Sequence, residues 1–281
     1  MKLFVTDIDD TLSVGETVSV EVRRACARLR DAGWDIMIAT GRTFGTSKNH
    51  MRAVGATQPA ILYDGARTMT LDGREIRSSS FDPALAAEVL RSLWEAPVEI
   101  QIAGDEVVYC RESDGETVRF YREAGVPVHY VTETFIFQPF TIGPVYRIGL
   151  WVRPEDLSGL EARLRASFDG VEALAGGARF LDVLPEGVSK GSALDRFLAD
   201  LPVRPEVIVA AGDHRNDLAM LLLADVAAVP RNAAESLLPL ADIVIPSAAE
   251  HGVEALVDHL LSPAFVPKRK KKRGELLSSS F

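Results

Sequence analysis

A cluster of acidic side chains follows the first apolar run of the chain, in the sequence FVTDIDDTL at residues 4–12. Two carboxylates about 4 Å apart repel each other by ~4 kcal/mol at an effective dielectric near 20. Packing gives no reason to end an apolar strand with Asp7, Asp9 and Asp10, so we expect a cation to bind there. Carboxylate oxygens are the hard ligands that Mg2+ prefers. The cluster therefore indicates a divalent-cation site.

Polar residues also follow two other apolar runs of the chain. They are Thr40, Gly41 and Arg42 after WDIMIA, and Asp213, Asn216 and Asp217 after VIVAAG. In an open parallel sheet, ligands bind at the carboxyl ends of the strands. We therefore expect these residues to converge on Asp7 and Asp9, with Asp213 as a further oxygen ligand for Mg2+.

A lysine occupies the start of a predicted helix in the sequence VLPEGVSKGSAL. At that position Lys190 would neutralise a phosphate group and a carboxylate nucleophile together. A metal, a lysine and a small hydroxyl donor around a carboxylate suit phosphoryl transfer, in which an aspartate attacks phosphorus and water later cleaves the acyl phosphate.

The elements that position these residues alternate between strands and helices. The early part reads as a strand at 2–7, a helix at 17–33 and strands at 34–40 and 60–65. The late part reads as helices at 191–201, 216–224 and 233–241 and strands at 206–213, 226–230 and 242–246. Such alternation predicts an α/β fold with a Rossmann-like, doubly wound parallel sheet.

Between these two parts the pattern changes to hairpin signals. VEIQIA and EVVYCRE are joined by Gly104-Asp105, and VEALA and ARFLDVL are separated by Gly-Gly. Short strands joined in this way are antiparallel, and helical patterns lie between them. We therefore predict a core domain at 1–78 and 185–262, an inserted α+β cap domain at 79–184, and a basic, disordered tail at 263–281.

The net charge of −9 includes the run KRKKKR at 268–273, so the rest of the chain is more acidic still. An acidic body argues against nucleic acid and membrane surfaces as partners of the main fold. No apolar stretch approaches the ~20 residues of a membrane helix, and the N-terminus lacks a secretory leader. Two cysteines do not suggest a disulfide framework. We expect a cytoplasmic protein with reduced thiols.

Four short motifs, DIDDT, the threonine of IATGR, the lysine of VSKG and GDHRND, occur in this order. Their combination resembles the haloacid dehalogenase superfamily, specifically its Cof-type phosphatases of class IIB, in which a large cap is inserted after the third strand. The resemblance covers roughly residues 1–260. It implies a Mg2+-dependent phosphatase that hydrolyses a small phosphorylated metabolite, a phosphosugar or similar phosphomonoester, through an aspartyl phosphate.

The resemblance also implies a role for each motif residue. Asp7 would be the nucleophile and Asp9 the general acid and base, with Thr40 and Lys190 binding the phosphate. The implied metal ligands are Asp7, Asp9 through its backbone carbonyl, Asp213 and Asp217. Further contacts to phosphate or substrate are expected from Thr11, Gly41, Arg42, Asp64 and Asn216. Two positions depart from the commonest pattern, with Asp10 in place of Gly and Asp64 in place of Asn, and Asp64 is the one expected to alter substrate preference.

Alternative functions remain open from the sequence. A phosphomutase would use the same aspartyl phosphate, and a non-catalytic protein would use the same fold to bind a ligand. A dinucleotide-dependent oxidoreductase and a P-loop kinase are disfavoured because their glycine-rich motifs are absent. Any of four arginines of the insert, at positions 111, 119, 147 and 179, is a candidate for gripping an anionic substrate, although most surface arginines are merely solvated.

Overall fold

The computed structural model describes residues 1–133 and 143–266. A five-stranded parallel sheet has the strand order β14-β13-β12-β1-β2. Its strands are β1 (Lys2–Thr6), β2 (Trp34–Ile38), β12 (Val207–Ala211), β13 (Val226–Pro230) and β14 (Ile243–Ile245). β1 lies between β12 and β2, the strands that precede the other two polar motifs.

Helices cover both faces of this sheet. The helices that pack with one face are α1 (Val20–Asp31), α2 (Phe44–Val54) and α8 (Gly252–Leu261). Those on the opposite face are α6 (Lys190–Asp200) and α7 (Leu218–Leu223). Successive residues of β1 alternate between the two apolar clusters, with Phe4 in the first and Leu3 and Val5 in the second. The sheet is therefore buried on both faces and doubly wound, as the sequence predicted.

A second sheet is formed by the inserted segment and has six strands in the order β10-β11-β9-β6-β7-β8. They are β6 (Glu99–Ala103), β7 (Val108–Cys110), β8 (Val128–Tyr130), β9 (Arg147–Trp151), β10 (Val171–Ala175) and β11 (Phe180–Pro185). Both predicted hairpins are antiparallel. Helices α3 (Pro83–Leu93) and α5 (Pro154–Ser167) share an apolar cluster with one sheet face, and α4 (Gly115–Glu123) packs with Val108 and Cys110. The α+β cap of the predicted fold class is thus present.

The predicted third strand of the parallel sheet is only three residues long. β3 (Ala60–Leu62) pairs antiparallel with β4 (Arg67–Met69), which pairs with β5 (Glu75–Ser78). A single parallel bridge between Ile61 and Ala39, the residue that follows β2, joins this small sheet to the parallel sheet. The chain leaves the parallel sheet at this point because residues 63–65 turn sharply, with positive φ at Tyr63 and Asp64.

The prediction of a helix at 233–241 is wrong, since this segment forms turns and a short 3-10 helix at Leu238–Leu240. Pro239 has no N–H to donate and disfavours helical geometry at the preceding residue.

The basic run 268–273 lies outside the described residues. Phe265 lies in the segment that the sequence predicts to be a disordered tail, but its ring packs against Trp34 and His259. No helix of the described residues is both long and apolar enough to cross a membrane.

Candidate active site

The three polar motifs meet at the carboxyl end of the parallel sheet. Asp7 directly follows β1, and its N–H donates to the carbonyl of Ala211 at the end of β12. Lys190 begins α6 and is 1% exposed. Its Nζ lies 2.7 Å from Asp7 Oδ1 and 2.8 Å from Asp217 Oδ1. The structure therefore joins residues separated by more than 180 positions into one buried ion cluster.

The electrostatics of this cluster follow from burial and proximity. Burial raises the pKa of Asp7, Lys190 acts against that rise, and the charges of Asp217 and Asp213 add to it. Burial alone would lower the pKa of Lys190, but Asp217 and Asp7 outweigh it and raise the pKa above its ordinary value. Lys190 is thus a permanent cation beside a carboxylate that strongly favours a positive neighbour.

Three aspartates of this cluster have the composition of a divalent-cation site. Asp7, Asp213 and Asp217 each offer a carboxylate oxygen, and these oxygens lie within 4.8 Å of one another. Burial, followed by the charge of Asp217, raises the pKa of Asp213 to about 7. Hard oxygen donors that repel one another fit Mg2+. The hydroxyl of Thr11 donates to Asp213 Oδ1 at 2.9 Å, so Thr11 orients a candidate ligand.

Asp217 is the most constrained of these carboxylates. Its Oδ2 accepts the backbone N–H groups of Asp213 and His214 at 3.0 and 3.1 Å, while its Oδ1 accepts Lys190. These bonds fix the loop that carries Asp213, and they already use both oxygens. The geometry therefore favours Asp7 and Asp213 as direct metal ligands over Asp217.

Asp9 stands at the mouth of the site, with its side chain 52% exposed. Arg42 holds it through two hydrogen bonds, from Nε at 2.9 Å and from Nη2 at 2.6 Å. Arg42 also donates to both carboxylate oxygens of Glu16. Burial alone would lower the pKa of Arg42, but its bonds to Asp9 and Glu16 raise it. Arg42 is thus committed to two acids, and it orients Asp9 in this conformation.

The loop after β2 and the turn after β3 form the floor of the site. The hydroxyl of Thr40 accepts the N–H of Arg42, and its carbonyl accepts the N–H of Asp64. A Cβ at Gly41 would lie 2.6 Å from Asp64 Oδ2, so a larger residue there would displace the carboxylate of Asp64. Asp64 itself is buried with φ of 53° and accepts Asn216 Nδ2 at 2.9 Å. The structure therefore brings together four residues that the sequence predicted at the site, namely Thr40, Gly41, Asp64 and Asn216.

Asp10 adopts a left-handed backbone with φ of 55°. Aspartate is among the non-glycine residues that tolerate this region. The backbone at this position would also suit glycine, and aspartate is accommodated there.

The six-stranded sheet covers the site and encloses a cavity of ≈ 900 Å³ with it. Five buried residues of the inserted segment contribute to its wall, namely Gln101, Thr117, Tyr121, Arg147 and Asp182. Arg147 Nη1 lies 3.1 Å from Asp182 Oδ1 and 3.5 Å from Asp64 Oδ2. The sequence singled out neither Asp182 nor Glu16, since nothing local marks a carboxylate that meets its partner only in the folded chain.

A family model for haloacid dehalogenase-like hydrolases matches residues 4–257. The chain therefore belongs to this family. An HMP-PP phosphatase of Yersinia enterocolitica is 26% identical over 271 residues, covering 93% of this chain and 96% of that relative. An HMP-PP phosphatase of Serratia proteamaculans is 27% identical over 250 residues, with 86% and 89% covered. The chain is accordingly a phosphatase of the Cof type within the family.

Solved structures share the fold over almost the whole chain. A haloacid dehalogenase-like hydrolase from B. subtilis matches with a TM-score of 0.81 at 23% identity. The match covers 93% of this chain and 100% of that chain. A sugar phosphatase of haloacid dehalogenase subclass IIB matches with a TM-score of 0.78 at 21% identity, covering 92% and 99%. At these identities the likeness concerns the fold.

Proposed function

We propose that this phosphatase hydrolyses a small phosphomonoester through a phosphorylated Asp7. The observation that carries the proposal is the buried contact of 2.7 Å between Lys190 Nζ and Asp7 Oδ1. It leaves Asp7 Oδ2 free for attack while a fixed cation offsets charge at the reacting centre. Thr40 and the backbone of Gly41 lie beside this carboxylate in the same cavity and would bind the phosphoryl oxygens.

The reaction proceeds in two displacements. An Asp7 oxygen forms a bond to phosphorus as the bond to the leaving oxygen breaks, and Asp9 donates a proton to that oxygen so that an alcohol departs. Water then attacks phosphorus, Asp9 accepts its proton, and the bond between phosphorus and Asp7 breaks to release inorganic phosphate. A carboxylate has about four acceptor positions, so Asp9 can carry out both transfers while one edge stays on Arg42.

Mg2+ is the proposed cofactor, held by Asp7, Asp213 and the backbone carbonyl of Asp9, with Asp217 behind them. When bound, it would offset the charge of the phosphate against the carboxylates and polarise the phosphoryl group. Thr11 keeps Asp213 in place through its hydrogen bond. The mutual proximity of three carboxylates supports this assignment.

We further propose that residues 79–184 act as a cap domain over a core formed by 1–78 and 185–262. The cap sheet contributes one wall of the cavity, and the motif residues contribute the other. The leaving group would lie between them, so the cap would select it. A phosphosugar or a similar phosphorylated metabolite is consistent with relatives that are an HMP-PP phosphatase and a sugar phosphatase.

The test is hydrolysis of p-nitrophenyl phosphate with Mg2+ by the wild type and by Asp7→Asn. Asparagine has the shape of aspartate but is a poor nucleophile, so turnover should fall to background while the circular dichroism spectrum is unchanged. Excess EDTA should silence the wild type, and added Mg2+ should restore it. Asp31→Asn is the matched control and should stay within a few-fold of wild type, since Asp31 is exposed at the end of α1 and lies outside the cavity. Near-normal turnover by Asp7→Asn would refute the mechanism.

A further inference from the structure

A row of polar side chains crosses the cap sheet on the face toward the active site. Gln101 of β6, Gly149 of β9 and Asp182 of β11 stand opposite one another in register. Their sequence neighbours Ile100, Ile102, Ile148, Leu150, Leu181 and Val183 belong to the apolar cluster on the other face. The alternation of a strand thus turns these polar groups toward the cavity, which they line together with Arg147.

The centre of this row is Gly149. A Cβ there would lie 3.1 Å from Gln101 Oε1 and 3.4 Å from Asp182 Oδ1. The side chains of Gln101 and Asp182 therefore lie closely over Gly149, and both line the cavity. A buried carboxylate that faces a cavity costs free energy unless partners satisfy it. This polar part of the cavity wall is a candidate hydrogen-bonding subsite.

The charged side chains at this part of the cavity wall are two acids and one base. Arg147 is 7% exposed and lies between Asp182 at 3.1 Å and Asp64 at 3.5 Å. Its Nη2 also donates to the hydroxyl of Tyr121, which in turn donates to Gln101. Arg147 is therefore turned inward by its neighbours, and when both acids are ionised the group has a net negative charge.

This group is next to the reacting centre. Asp64 Oδ1 lies 3.9 Å from Lys190 Nζ, and Lys190 contacts Asp7. Asp64 Oδ2, Asn216 Oδ1 and Arg147 Nε are buried without a hydrogen-bond partner among the described residues. The first two atoms are acceptors and the third is a donor. The surplus of acceptors favours a ligand that brings hydrogen-bond donors into this space.

From this arrangement we infer that Asp182 is a specificity determinant for the leaving group and that Arg147 is its positioning residue. The subsite takes a hydroxyl or amino group of the leaving group, which donates to the carboxylate of Asp182, and it rejects a second anion. The inference rests on the proposed function, because it concerns the part of the same substrate that departs from phosphorus.

The experiment compares three phosphate monoesters that share a six-carbon frame: D-glucose 6-phosphate, D-glucosamine 6-phosphate and 6-phospho-D-gluconate. For each enzyme, kcat/KM with Mg2+ is measured for all three, or an inhibition constant against p-nitrophenyl phosphate where a compound is not hydrolysed. The wild type should disfavour the carboxylate-bearing compound by about 10-fold or more. Asp182→Asn removes the negative charge and should shrink that preference about 10-fold. Ratios between substrates are compared within one enzyme, so a general loss of activity cancels.

Two variants keep the test decisive. Asp182→Glu is measured if Asp182→Asn does not fold. It keeps the charge on a longer side chain, so it should lower kcat/KM for the two compounds without a carboxylate and narrow their advantage over 6-phospho-D-gluconate. Asp169→Asn is the matched control, an exposed cap aspartate outside the cavity, and should leave every ratio unchanged. Equal ratios in the wild type and the tested Asp182 variants, or a wild-type preference for 6-phospho-D-gluconate, would overturn the inference. Absence of Mg2+-dependent p-nitrophenyl phosphate hydrolysis by the wild type would instead overturn the proposed function.

Discussion

Replacing Lys190 with methionine removes a buried cation and leaves its carboxylate partners behind. Nζ lies 2.7 Å from Asp7, 2.8 Å from Asp217 and 3.9 Å from Asp64. At an effective dielectric near 20, each of the two short contacts is worth ~6 kcal/mol before desolvation is counted. Removing one partner of a buried ion pair typically costs ~3–5 kcal/mol. We expect the free energy of unfolding at pH 8 to fall by that amount.

The pH dependence follows from the direction of each pKa shift. The raised pKa of Lys190 means that its stabilising effect is complete below ~10.4, the ordinary lysine value, and is lost only as pH rises through the folded pKa. Burial also raises the pKa of Asp7, so acidification protonates the folded site before the unfolded chain. Neutral Asp7 needs no cation. The destabilisation should therefore shrink as the pH is lowered from 8.

Urea denaturation in EDTA measures this loss directly. With a slope of about 3 kcal/mol per molar urea, the midpoint should fall by about 1 M or more at pH 8. Added Mg2+ should recover part of the loss, because it supplies positive charge to the same carboxylates. Lys48→Met is the matched control, since Lys48 is exposed on α2 and should change stability by less than ~0.5 kcal/mol. A loss below ~1 kcal/mol, or one that grows on acidification, would refute the reasoning.

Two further substitutions probe the chemistry. Asp9→Asn should lower kcat by ~10²- to 10⁴-fold, the usual contribution of general acid–base catalysis, and the loss should be smaller for p-nitrophenyl phosphate, whose leaving group needs less protonation; equal losses for all leaving groups would contradict the acid role. Asp213→Ala should raise the Mg2+ concentration needed for half-maximal activity by at least 10-fold, and an unchanged requirement in a Mg2+ titration would exclude Asp213 as a ligand.

The convergence of the motifs could be predicted because it depends on a rule of topology. β1, β2 and β12 are parallel neighbours, so residues that follow them share one edge. Asp7, Thr40 and Asp213 each come directly after such a strand or within two residues of it. Apolar runs and their ends are visible in a single sequence, and they carried this prediction.

α2 illustrates what a single sequence conceals. Its buried positions are spaced as in a helix, but three of the five, Thr46, Ser47 and His50, are polar. No apolar stripe reveals this element. The small antiparallel sheet that displaces the predicted third strand has the same cause, since strands of three or four residues give too short a pattern to read.

The side-chain partners inside the site could not be predicted from the sequence, for a different reason. Arg42 meets both Asp9 and Glu16, and Arg147 meets both Asp182 and Asp64. In each case one arginine unites acids from separate loops or strands. Such pairs depend on how strands lie across one another over long separations, which local spacing does not encode.

The contacts between the proposed cap and core are partly apolar and partly polar. Ala103, Tyr146 and Leu184 of the inserted segment belong to the apolar cluster of the core, and the rings of Tyr146 and Tyr63 lie 5.7 Å apart. Glu106, in the hairpin turn after β6, accepts the N–H of Gly45 and the hydroxyl of Tyr63. On the other side, Arg215 forms two hydrogen bonds with Glu161 of α5. Ion pairs with an exposed member contribute ~0–1 kcal/mol each, because water replaces the partner when the pair opens. The polar contacts can therefore separate at modest cost, whereas the apolar contact of Tyr146 with Tyr63 opposes opening of the proposed cap.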